Sequence, residues 1–189
     1  MTTATMTTTT TTTTETTAPM IDGERDDLLA ALRGQRGFLR YAVRDLGDDR
    51  ARERPTVSEL SLGGLVKHVT EVERRWMEFV RIGPAAFPSV TEWTEEAAAA
   101  RTEGFRLLEG ETLDGVLDEY DRAAAATEEM VLALESLDVS HPLPEAPWFE
   151  PGAHWSARMV LLHILRETAQ HCGHADIIRE TLDGQKTMG

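Results

Sequence analysis

Four stretches of this chain repeat mostly apolar residues at steps of three and four, and no stretch alternates with the two-residue period of a half-buried strand. Leu28, Leu32, Gln35, Leu39, Ala42 and Leu46 form one stripe, which predicts a first helix from about Glu24 to Leu46, ended by Gly47-Asp48-Asp49. Leu62, Leu65, Val69, Val72, Trp76 and Phe79 form a second, behind Ser58 and Ser61 as candidate N-caps, and Gly83-Pro84 stops it. Thr112 is placed to cap a third, marked by Leu113, Val116, Leu117, Tyr120, Ala124, Thr127, Val131 and Leu134. The fourth runs from Trp155 to Leu182 and closes at Asp183-Gly184. Four amphipathic helices with one stripe each predict an all-α fold, a four-helix bundle.

The connecting segments carry less pattern. Between Phe87 and Gly110, Ser89, Thr91 and Thr94 are candidate caps for a helical piece through Ala97–Ala100, while Trp93 and Phe105 have no periodic partners. Pro142, Pro144, Pro147 and Pro151 predict a loop between His141 and Gly152, which Trp148, Phe149 and Trp155 would pack back on the helices. The chain opens with MTTATMTTTTTTTTETTAP, which has neither the basic nor the apolar region of a signal peptide. β-Branched threonines without apolar partners bury nothing, so residues 1–20 are expected to be a disordered tail and 21–189 the domain. Met20 is an alternative start. No apolar run approaches the roughly 20 residues that span a bilayer, and a cytoplasmic protein is expected.

Charge narrows the range of partners. A formal net charge of −14 argues against nucleic acid, which needs concentrated Lys and Arg, and no basic helix face suggests an anionic membrane. The lone cysteine, Cys172, excludes an internal disulfide. On a helix it points about 100° away from His171, which favours a buried, inert thiol over a nucleophile.

The chemistry is concentrated in the fourth helix. His163, Glu167 and His171 are four residues apart, so they project imidazole, carboxylate and imidazole along one side, with His174 close by. Glu167 and His171 are spaced so that one helix can offer two ligands to one divalent ion. His68, at the edge of the second stripe, is the candidate third. Two imidazoles and a carboxylate suit zinc, with nickel, iron or manganese also compatible, and three protein ligands leave a coordination position open. His174 and His163 are alternative ligands. The plainer reading is that these histidines are hydrogen-bonded core or surface residues and that Glu167 pairs with Arg166 or Arg158. Asp176 and Arg179 are placed for a helix-surface pair.

The stretches SLGGLVKHVTEVERRW, EGETLDGVLDEYDRAAAATEEMV and WSARMVLLHILRETAQHCGHADIIRETLDG resemble the DinB-like superfamily of four-helix metal-binding proteins, in particular actinobacterial members. The last stretch carries most of the likeness. The resemblance implies one histidine ligand on the second helix and a pair spaced by four on the last. That pair is Glu/His in the branch of mycothiol-dependent maleylpyruvate isomerase. Carried over, the ligands are His68, Glu167 and His171.

The resemblance also implies a function: a metal-dependent S-transferase or isomerase that uses a small-molecule thiol, mycothiol as cosubstrate, on an electrophilic small molecule. A hydrolase using metal-activated water and a non-enzymatic metal-binding stress-response bundle are the alternatives. Arg158, Arg166, Trp76 and Trp155 are candidates to orient a substrate and equally candidates for salt bridges or core. A monomer or homodimer is expected.

Overall fold

The computed structural model describes residues 23–87 and 94–187. The threonine tract, Ser89, Thr91 and Trp93 lie outside the described residues. The fold is all-α apart from one two-stranded ribbon: α1 (Gly23–Ala42), α2 (Asp48–Arg52), α3 (Leu62–Ile82), α4 (Glu95–Glu103), α5 (Leu113–Ala133), β1 (Ser140–Pro142), β2 (His154–Ser156) and α6 (Ala157–Asp183). α1 packs on α6, and α3 packs on both α5 and α6. No helix among the described residues is long and apolar enough to cross a membrane.

Of the candidate caps, those at Ser61 and Thr112 form, while Ser58 accepts from the Leu60 amide ahead of the helix. The Ser61 hydroxyl accepts from the Gly64 amide at the start of α3, and the Thr112 hydroxyl from the Gly115 amide at the start of α5. Ser156 does the same for α6 through the Met159 amide, so that helix begins at Ala157, and Trp155 belongs to β2. Gly184, left-handed at φ 78°, closes it.

Three expectations are corrected. α1 stops at Ala42, short of Leu46, because the buried Arg179 guanidinium takes the carbonyls of Ala42 and Arg44 at 2.9 and 2.7 Å. These orphan carbonyls of the helix end thus find a donor from another helix. Arg179 pairs with Asp183, not Asp176, which instead accepts from Thr187. The stretch between the first and second predicted helices, where Gly47-Asp48-Asp49 was expected only to end a helix, contains α2, whose Asp48 accepts from the Leu113 amide at 2.7 Å and ties the start of α5 to it. The proline-rich loop is pinched at its neck by the antiparallel β1–β2 ribbon, with Ser140 opposite Ser156. Three-residue strands have too little length to show an alternation. Phe149 in the loop and Trp155 in the ribbon pack on Trp76, while Trp148, expected to pack back as well, is 62% exposed and stays outside.

Two apolar clusters fill the interior, one around Leu39, Leu65, Val69, Val116 and Ala175, the other around Leu32, Trp76, Val131 and Ile164. Between them in sequence on all four long helices fall most of the buried polar residues: Arg36, Thr70 and Glu73, Thr127, Thr168 and His171. Arg36 donates to both carboxylate oxygens of Glu73 and reaches Glu128 at 3.3 Å. Each of these groups is costly to bury alone, and the pairing removes most of that cost. Arg36, not Gln35, is therefore the inward residue of that turn of α1. Burial, and then the Glu73 charge, push the Tyr120 phenol upward, and its hydroxyl has no hydrogen-bond partner among the described residues.

Candidate metal centre

His68 stands on α3, two turns past the Ser61 cap, and Glu167 and His171 stand one turn apart on α6. Because α3 packs directly on α6, the three side chains converge: each brings one potential ligand atom, and these atoms lie within 4.8 Å of one another. The His68 and His171 rings meet edge to face, with centroids 4.8 Å apart. His171 is buried, His68 and Glu167 partly so.

Both imidazoles are held neutral. Burial pushes His68 down to about 3, helped by the nearby His171 and Arg101. His171 is pushed down to about 4, again by burial first and then by His174. A neutral imidazole offers a lone pair, which is the state a metal ligand requires. Glu167 makes no ion pair among the described residues, because both arginines that could have claimed it are engaged elsewhere. Arg158 binds Glu24 and Asp138, and Arg166 donates to His163 Nδ1 at 2.8 Å. The donor set thus fits a divalent ion of borderline hardness: two neutral nitrogens and an unclaimed carboxylate.

The remaining histidines of α6 have other partners. His163 lies against Trp76 and Trp155, with ring centroids 4.7 and 5.1 Å away, and is outside the three-residue cluster. His174 lies beside His171, their Nδ1 atoms 3.2 Å apart. Cys172 faces α1, where its thiol donates to the Gln35 carbonyl at 3.3 Å, and burial pushes it up to about 11. It takes no part in the cluster.

Phe105 was invisible as a site residue in the sequence. Its ring stacks on His68 at 3.9 Å and 24°. The seat for it is the Gly63-Gly64 pair in the first turn of α3. A Cβ on Gly64 would lie 1.8 Å from the Phe105 carbonyl oxygen, and one on Gly63 would lie 3.0 Å from Leu107. Two adjacent glycines inside a helix are the local signal for such a close approach. The Arg101 guanidinium stands 6.0 Å over the Phe105 ring.

Residues 27–184 match the family model described as mycothiol-S-transferase. No curated protein matches the sequence.

Proposed function

The chain belongs to the mycothiol-S-transferase family, and from that footing we propose that it is a metal-dependent enzyme joining mycothiol, through its sulfur, to an electrophilic small molecule. His68, Glu167 and His171 are the ligands of one divalent ion, zinc in the first place, with nickel, iron or manganese compatible with the same donors. The observation that carries this reading is the convergence of two neutral imidazoles and one carboxylate within 4.8 Å. The four long helices form a DinB-like bundle around it, within a domain of residues 21–189.

The chemistry such an ion supplies when bound is positive charge, which keeps a thiol ionised at neutral pH. The protein's own residues do the rest. Glu167 contributes the one negative charge among the donors, and the two histidines add none, so a net positive charge remains to favour the thiolate. Phe105 covers one face of His68 and keeps water from it. Cys172 points to α1, so the reacting sulfur comes from the cosubstrate. In the transfer the thiol gives up its proton to solvent and a carbon–sulfur bond forms. On an alkyl halide the halide leaves with the electron pair of its bond to carbon; on a conjugate acceptor the carbon–carbon π pair shifts to the far carbon, which takes a proton from solvent. A lone unpaired cysteine and a small-thiol reaction both fit the reducing cytoplasm.

The test is to purify the untagged protein, measure bound metal, and incubate the zinc form with mycothiol and a panel of conjugate acceptors and alkyl halides. The expected result is stoichiometric metal and a thioether product found by mass spectrometry, both lost in His68→Ala and Glu167→Ala. Zinc-dependent cleavage of simple esters or amides without thiol turnover would replace this reading with a hydrolase. Bound zinc with neither activity would leave a metal-binding protein.

A further inference from the structure

His171 and His174 present their Nδ1 atoms to each other at 3.2 Å, on successive turns of α6. Two ring nitrogens at that distance share one hydrogen: one carries the N–H and the other the lone pair. The two nitrogens of an imidazole point in divergent directions. With Nδ1 of His171 turned to His174, it is Nε2 that remains for the side where His68 and Glu167 converge.

We propose that His174 is a positioning residue for the metal centre: it accepts the Nδ1–H of His171, so that His171 ligates through Nε2. The inference rests on the metal reading above. A ligand nitrogen at Nε2 must carry the lone pair, which places the ring hydrogen on Nδ1, and His174 Nδ1 is then the acceptor and its Nε2 the protonated atom. This second hydrogen bond fixes the tautomer and the ring plane of His171, and it makes the imidazole a better ligand. Both residues are on one helix, so the pair moves as a unit and does not depend on a loop for its geometry. His174 itself is outside the cluster of potential ligand atoms, which gives it this role in place of the ligand role.

The experiment measures zinc affinity by competition with a chromophoric indicator for the wild-type protein, His174→Ala and His174→Asn. His174→Ala should bind zinc about 10–100-fold more weakly, while the metal-free variant keeps the helicity and thermal midpoint of the metal-free wild type. His174→Asn should recover most of the loss, because its amide oxygen occupies the position of Nδ1 as an acceptor. The visible bands of the cobalt form should shift in His174→Ala and return in His174→Asn. Independently of any variant, nitrogen-15 NMR of the zinc-loaded wild type should find His171 protonated at Nδ1 and ligated at Nε2. Affinity in His174→Ala within about twofold of wild type, or His171 protonated at Nε2, overturns the role of His174 and leaves the metal reading intact. A wild-type protein that takes up neither zinc nor cobalt overturns the metal reading, and this proposal falls with it.

Discussion

Gly64 and Phe105 approach so closely that a single methyl on Gly64 would lie 1.8 Å from the Phe105 carbonyl oxygen and 2.3 Å from its carbon. The neighbour is backbone, which cannot rotate aside, so Gly64→Ala must push the segment after α4 off α3. The expected cost is about 1–3 kcal/mol in urea unfolding, as for an overpacked core. The ring-current shift that Phe105 imposes on the His68 ring protons should vanish in the same variant. Gly173→Ala is the opposite case. Gly173 is inside α6 with nothing within 4 Å of the added Cβ, and the change should stabilise by about 0.5–1 kcal/mol. Equal signs for the two substitutions would contradict the close packing at Gly64.

Glu73 is 1% and Arg36 6% exposed, so each depends on the other to be buried at all. Glu73→Ala, which leaves the buried guanidinium only its 3.3 Å contact with Glu128, should cost about 3–5 kcal/mol. The double variant Arg36→Met with Glu73→Leu should be much less destabilised than Glu73→Ala. Chemical denaturation of the wild type, Arg36→Met, Glu73→Leu and the double variant decides it: a double variant as unstable as the sum of the two single losses would mean that the pair is not coupled.

Acid should weaken the metal-free protein through its histidines before its carboxylates are reached. His68 and His171 are pushed down to about 3 and about 4 from an ordinary value of 6.5. Below about pH 6.5 the unfolded chain therefore binds protons at these two positions that the folded chain refuses, and stability falls as pH falls. Above that pH the contribution is complete and the curve is level. In chelator, the unfolding free energy should decline between about pH 6.5 and 5, and His171→Ala should flatten the decline. An identical slope in the variant would remove His171 as a cause.

Cys172 should resist thiol reagents. Burial pushes it up to about 11 and its hydrogen is directed to the Gln35 carbonyl, so little thiolate exists at neutral pH. Reaction with an aromatic disulfide reagent should be slow in the native protein and complete in denaturant. Rapid native reaction would place the thiol in contact with solvent.

The long helices were legible because each carries its own evidence: a stripe such as Leu62, Leu65, Val69, Trp76 and Phe79, and a local cap such as Ser61 or Thr112. The convergence of His68 with Glu167 and His171 was legible as a spacing on α6 and a position on the edge of a stripe. The features that escaped depend on a distant partner. Nothing near Ala42 announces that α1 ends there, because the donor that ends it is Arg179. Arg36 reads as a surface residue until Glu73 stands opposite. Phe105 has no periodicity of its own, and its place comes from the glycines of α3.

The three converging side chains are unevenly spread along the chain: one at position 68, the other two at 167 and 171. During synthesis at about 5–20 residues per second, His68 is therefore made on the order of 5–20 s before either partner. Over that interval α3 can form but the centre cannot, since α6 is the last of the described helices to be translated and its anchor, Arg179, comes later still. An incomplete polypeptide lacking α6 carries only one of the three converging side chains, His68, too little to hold an ion. On the metal reading proposed above, loading waits until α6 has been made.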